Sequence, residues 1–326
     1  MSPEDQGTAP TERTPHTAQN LNVNHVVQGG HNQLARAAAP PTASAAHGGA
    51  PGFDPRRTLP LRAELRRQTG RRRTQIAVGF LILLPLLLIA AFKLGSDTGP
   101  PGGRATLVDV ATVGAPNFAL FTLFASAGFL LVVVVALFAG DTVASEASWS
   151  SLRYLLVAPV SRSRLLRQKL IVALGLAGAS LVLLPIVALL AGWIAFGWAP
   201  ARSPTGSSLP TGEALIRLAV IVGYLAVSLL FVAALGFYLG VRTDAPLGAV
   251  GGTVLLVIVS NILDQVTALG NLRNVLPTHY SYAWLETLGP TIQWDSMLRG
   301  TVSSLAYSVV LLALAWRHFL RKDIVS

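Results

Sequence analysis

Asp141 and Glu146 stand five residues apart in GDTVASEASWSSLRYLLVAPVSRSRLLRQKL, a segment that mixes acids, an apolar repeat and cations. Trp149, Leu152 and Leu156 recur at i, i+3 and i+7, which gives a helix one apolar stripe. Read as that helix, the segment has Asp141 and Glu146 near its start, where acids complement the helix dipole. Pro159 ends the helix, and Ser161 can cap the next one. Arg153, Arg162, Arg164, Arg167 and Lys169 then supply five cations between Ser151 and Leu170, with no acid among them. These residue types suit docking rather than bond breaking. The stripe fits either a membrane surface or the groove of another protein.

Side chains able to break bonds are scarce elsewhere. A phosphate-binding P-loop needs Gly immediately before Lys, and the three lysines follow Phe92, Gln168 and Arg321. There is no HExxH, and no Ser–His arrangement stands at matched depths. The absence of cysteine excludes disulfides, thiol chemistry and cysteine metal sites. Four of the six histidines (His16, His25, His31, His47) lie at wide, irregular spacing near the N-terminus, so a solvated tail is preferred there over a metal site. Ion-coupled carriers keep carboxylates inside the membrane. Here Asp141 and Asp264 fall near helix ends, and the centres of the apolar runs contain no acid. Any ATP hydrolysis is therefore expected in a partner, with no cofactor held by this chain.

The elements that position these residues are long apolar runs. Only 12% of the 326 residues are charged, against about a quarter in soluble domains, and 52% are hydrophobic. Six runs are long enough to cross a bilayer as helices: Ile76–Leu94, Phe118–Gly140, Leu170–Trp198, Ala214–Gly240, Leu247–Val266 and Thr301–Trp316. Pro185 predicts a kink in the third. GFYLG (Gly236–Gly240) and GAVGG (Gly248–Gly252) carry small-residue spacing, for which ordinary packing is the default. The first run starts near Ile76, too far in for a signal peptide, so no cleaved leader is expected. Residues 1–57 lack apolar periodicity and are expected to be a disordered tail.

The net charge of +10 could point to nucleic acid, but the cations flank the apolar runs, which is a membrane pattern. Nineteen of the 25 fall on one side of the alternating spans and six on the other. By the positive-inside rule both termini and the basic loop are cytoplasmic in a multi-pass cell-membrane protein. Arg outnumbers Lys 22 to 3, as in a high-GC bacterial genome. Before the first span, LPLRAELRRQTGRRR (Leu59–Arg73) sets Leu61 and Leu65 one helical turn apart among arginines. Two readings stand together: an amphipathic helix in the cytoplasmic interface, or a plain stop of cations fixing topology. Tyr280, Tyr282, Trp284 and Trp294 lie between the last two spans, either as an interface belt or as substrate contacts.

The loop resembles the first cytoplasmic loop of ABC type 2 exporter permeases. The resemblance rests on Asp141, Glu146, Leu152, Arg153, Leu155, Leu156, Pro159, Val160, Ser161, Arg162 and Lys169. Ser150 and Ser151 stand where that family often has Gly-Thr. LPTHYSYAWLE (Leu276–Glu286) is similar to the family's external segment, and FLRKDI (Phe319–Ile324) to its C-terminal end. The likeness covers residues 58–326.

The resemblance implies an all-α integral membrane fold. It would have six transmembrane helices, an N-terminal interfacial elbow helix, a coupling helix between spans two and three, and short external helices between spans five and six. It also implies a permease domain that pairs with a second copy or paralogue and with cytoplasmic ATPase subunits, which bind ATP and Mg. Asp141, Glu146, Trp149, Leu152, Arg153, Leu156, Pro159, Val160, Ser161 and Arg162 would form the ATPase-coupling site, and the basic residues would hold the loop at the anionic inner leaflet. An exporter is thus expected, with membrane lipid around it and no nucleic acid partner. The alternatives are a membrane anchor or sensor recruiting a cytoplasmic partner, and an ion-coupled secondary transporter. The substrate stays open.

Overall fold

In hydrocarbon every backbone N–H and C=O must find its partner within the chain, so uncharged runs of Leu, Val, Ile and Ala close into helices. The computed structural model describes residues 61–95, 107–148, 162–202, 208–289 and 291–321. A short helix α1 (Leu61–Thr69) precedes α2 (Arg72–Gly95), and α3 (Leu107–Ala111) leads into α4 (Ala115–Ala127) and α5 (Leu130–Ser148). Next come α6 (Arg162–Phe196), a two-stranded antiparallel hairpin of β1 (Ala201–Arg202) and β2 (Ser208–Leu209), α7 (Thr211–Ser228), α8 (Leu230–Arg242) and α9 (Pro246–Gln265). Two 3-10 helices, Thr267–Val275 and Ala283–Leu288, link α9 to α10 (Asp295–Arg321).

Five of these helical segments are long and apolar enough to cross a membrane, with α7 and α8 counted as one, and six if α4 and α5 form a single bent span. The chain is an all-α protein of the multi-pass membrane type, with one minimal hairpin added. α5 and α8 form its centre, packed against each other, with α9 and α10 alongside. Phe118, Leu123, Leu131, Leu184, Ile221 and Phe237 are buried within it. Phe80 and Leu87 on α2, Ile262 on α9 and Val309 on α10 face outward. Apolar exposure on that scale suits a lipid environment rather than water.

The second expected run, Phe118–Gly140, is not one straight helix. It begins at Ala115 and bends by 58° between α4 and α5. Gly128 lies at this bend, where an added Cβ would overlap the Tyr282 hydroxyl. α6 starts eight residues before the expected Leu170 and continues through Pro185 as one element. GFYLG packs more closely than the default reading: Gly236 lies against Ala136 and Gly140, and a Cβ on Gly240 would overlap the Gly140 carbonyl. That is a backbone-to-backbone contact between α8 and α5. In GAVGG, by contrast, Gly251 has no neighbour within 4 Å.

Candidate functional site

The acids Asp141 and Glu146 do not start a helix, as their sequence suggested. They lie in the last turns of α5, which continues unbroken from the apolar run through Gly140. Lys169 is the eighth residue of α6. The two meet: Lys169 Nζ is 2.5 Å from Glu146 Oε1, with the lysine 1% exposed and the glutamate 2%. Each buried charge thereby has an opposite charge beside it. Further contacts of the lysine help to hold this buried pair: Lys169 Nζ also reaches the Thr142 carbonyl at 3.3 Å and Glu64 at 3.4 Å.

The remaining cations come from the segment before the first span. Arg67 pairs with Glu146 and with Glu64, the latter at 2.6 Å. Arg71 donates to Asp141 at 2.8 Å and to Ser145 Oγ at 2.7 Å, and Arg73 donates to the other Asp141 oxygen at 2.5 Å. Gln68, also buried, donates to Glu64 and to Thr142 Oγ1, each at 3.0 Å. Burial pushes the Glu64 carboxyl up, but Lys169, Gln68 and Arg67 together bring it below its ordinary value. α1 is therefore more than a stop of cations. Its polar side is bolted to α5 and α6, while Leu61 and Leu65 point outward, each 44% exposed. Four cations and three carboxylates make one cluster where α5 ends and α6 begins. This is the root of the basic loop.

Of the ten expected coupling residues, the cluster holds Asp141 and Glu146. Arg162 is the first residue of α6. Trp149, Leu152, Arg153, Leu156, Pro159, Val160 and Ser161 lie outside the described residues.

At the opposite end of the bundle, residues 267–289 are fastened to the helices by buried polar contacts. Arg217 of α7, 4% exposed, donates to the carbonyls of Thr287 (2.5 Å) and Gly289 (2.6 Å) and pairs with Glu213 at 2.5 Å. Tyr224 donates to the Tyr280 carbonyl at 2.5 Å, Ser260 and Thr278 share a hydrogen bond of 2.7 Å, and His279 Nδ1 meets Asp264 at 2.5 Å. The sequence marks Arg217 only as one of six scattered cations. Glu213, one turn before it, is the local sign of its role. Trp284 is fully buried against Phe124, so it is no interface-belt residue, whereas Trp294 is 55% exposed.

A cavity of about 440 Å³ opens at this end between α3, α4, the hairpin and the second 3-10 helix. Leu120, Phe121, Phe124, Leu209 and Leu288 form much of its wall. The Asn117 amide spans the gap to β1, donating to the Arg202 carbonyl and accepting from its N–H, both at 2.8 Å.

A family described as "Protein of unknown function (DUF2705)" matches residues 109–325, two thirds of the chain. The chain belongs to this family. The DUF2705 region spans from α3 to the end of α10 and so contains Asp141, Glu146 and Lys169. α1, α2 and the junction between them, which bring Glu64, Arg67, Arg71 and Arg73, precede it. Comparison with curated proteins finds no match. Among the described residues of this DUF2705 chain, no three His, Asp or Glu side chains gather as a metal site.

Proposed function

We propose that the chain is the membrane-spanning permease subunit of an ATP-binding cassette exporter, moving its substrate with ATP hydrolysed in a separate cytoplasmic subunit. The observation that carries this reading is the charge-matched cluster at the root of the basic loop. A push on the loop would reach α5 through Glu146 and Asp141, α6 through Lys169, α1 through Arg67, and the junction of α1 with α2 through Arg71. Force from a docked subunit would then act on three elements together. The loop's resemblance to the coupling loop of ABC type 2 permeases supports the same assignment, with α1 as the elbow helix and Trp149, Leu152 and Leu156 as the docking stripe. A second permease copy or paralogue would complete the pore.

The full chain purified from its native membrane should bring with it a subunit that hydrolyses ATP. A complete native complex with no ATPase activity would overturn the proposal. In this reading both termini are cytoplasmic. The chain has no cysteine to remove, so Ser208→Cys should react with an impermeant thiol reagent on intact cells while Ser163→Cys should not. Reversed labelling would refute the orientation. A proton-coupled carrier is the second reading, favoured by the Asp264–His279 contact. In that case transport in vesicles would follow an imposed pH gradient without ATP.

A further inference from the structure

Six arginines stand between Leu61 and Arg73, and the structure divides them into two sets. Arg67, Arg71 and Arg73 turn into the cluster and pair with Glu64, Glu146 and Asp141. Arg62, Arg66 and Arg72 are exposed and meet no acid among the described residues. α1 cannot relieve this charge itself. Its one acid, Glu64, is committed to Arg67, Gln68 and Lys169.

A rotation of about 100° per residue arranges these side chains around α1. Gln68 and Glu64 face the cluster. Leu61 and Leu65, each 44% exposed, occupy one flank, and Arg62 and Arg66 lie beyond them on the side away from the cluster. The two arginines stand one helical turn apart, close enough for their forks to hold the oxygens of one phosphodiester together. The outer half of α1 is thus an apolar flank followed by a cationic face.

The position of α1 tells what covers that surface. Two residues separate it from α2, and the outward apolar face of α2 begins one turn in, at Ile76 and Phe80. The contacts of Arg67 with Glu146 and of Glu64 with Lys169 hold α1 at this level. Here hydrocarbon gives way to head groups, the depth at which basic amphipathic helices meet lipid phosphates. An acidic protein segment could answer the two charges, but the leucines beside them call for acyl chains.

We propose that the outer side of α1 is a binding site for the head group of an anionic phospholipid. Arg62 and Arg66 take the phosphate oxygens, and Leu61 and Leu65 lie against the first part of the acyl chains. Selectivity comes from charge: a zwitterionic head group offers the same phosphate but brings its own ammonium, which the arginines repel. The site rests on the membrane placement of α2 and uses neither the loop nor an ATPase, so it stands or falls separately from the exporter reading.

The test titrates the purified full chain in detergent with phosphatidylglycerol and with phosphatidylcholine of identical acyl chains, read by native mass spectrometry. The wild type should bind phosphatidylglycerol more tightly. Arg62→Gln with Arg66→Gln should weaken that binding roughly 25-fold, about fivefold per arginine, and leave phosphatidylcholine binding unchanged. Neither residue belongs to the cluster, so the thermal midpoint without lipid should match the wild type. Arg202→Gln with Arg299→Gln removes the same charge from exposed positions at the opposite end of the bundle and should keep the preference. Equal binding of the two lipids by the wild type would overturn the proposal, and so would a preference that survives in Arg62→Gln with Arg66→Gln. Loss of the preference in the far-end variant would overturn it too, since net charge alone would then explain the binding. Displacement of phosphatidylglycerol by inorganic phosphate would assign the arginines to a free anion and end the lipid assignment.

Discussion

Glu146 carries a heavy electrostatic demand, because Lys169 beside it is buried as deeply as the acid itself. Glu146→Gln leaves that lysine dependent on Glu64 at 3.4 Å. Removing one partner of a buried pair costs about 3–5 kcal/mol, whereas removing both is often far milder. Glu146→Gln should therefore lower the thermal midpoint in detergent markedly, and adding Lys169→Met should recover much of the loss. Additive losses would show that the pair is not coupled. Glu64 adds a pH dependence of known sign. Its folded-state pKa is depressed, so its contribution is complete above the ordinary value of 4.5 and fades as the pH falls through the lower folded value. The midpoint should hold steady from neutrality to about pH 5 and then decline, with a shallower decline in Glu64→Gln. Asp141 and Glu146 were legible in the sequence as residues of interest. Their partners were not, because Arg67, Arg71 and Arg73 lie 68–79 residues away and nothing local links them.

At the scale of elements, all six apolar runs became helices, since hydrocarbon leaves the backbone no other solution. Their limits were read less well. α10 extends from Asp295 to Arg321, well beyond the apolar window Thr301–Trp316, because its charged ends continue the helix past the apolar part. The bend after Ala127 was also hidden, and so was the contact at it, where the hydroxyl of Tyr282, more than 150 residues later, leaves no room for a side chain on Gly128. Two glycines that look alike in sequence illustrate how packing decides. Gly240 faces the Gly140 carbonyl across the α5–α8 contact, while Gly251 faces open space. Gly240→Ala should destabilise the protein by about 1–3 kcal/mol through forced separation of the two helices. Gly251→Ala should be neutral or stabilising by roughly 0.5–1 kcal/mol, since alanine is the better helix former. Melting curves of the two variants in one detergent check both signs, and a destabilised Gly251→Ala together with a tolerated Gly240→Ala would contradict the packing.

At the scale of the whole molecule, the proposed coupling would join the apolar stripe read from the sequence between α5 and α6 to the charge cluster that ties those two helices to α1. Trp149 and Leu152 fall between α5 and α6 in sequence, outside the described residues, and their spacing would suit one side of a helix. If that side seats in a groove of an ATPase, both act as anchors, and truncating a central aromatic at such an interface commonly costs about 2 kcal/mol or more, roughly thirtyfold in affinity. The double variant Trp149→Ala, Leu152→Ala should then release the ATPase or make its hydrolysis insensitive to the permease. The double variant touches none of Glu146, Lys169 and Arg67, so insertion and thermal midpoint should be unchanged. Glu146→Gln should show the opposite pattern, with a lowered midpoint while the docking stripe keeps its partner. A stripe that merely rests on the bilayer predicts full ATPase retention with normal stimulation in reconstituted vesicles, and that result would defeat the coupling role. Measuring midpoint, partner retention and stimulated hydrolysis on both variants separates a failure of docking from a failure of the scaffold that transmits it.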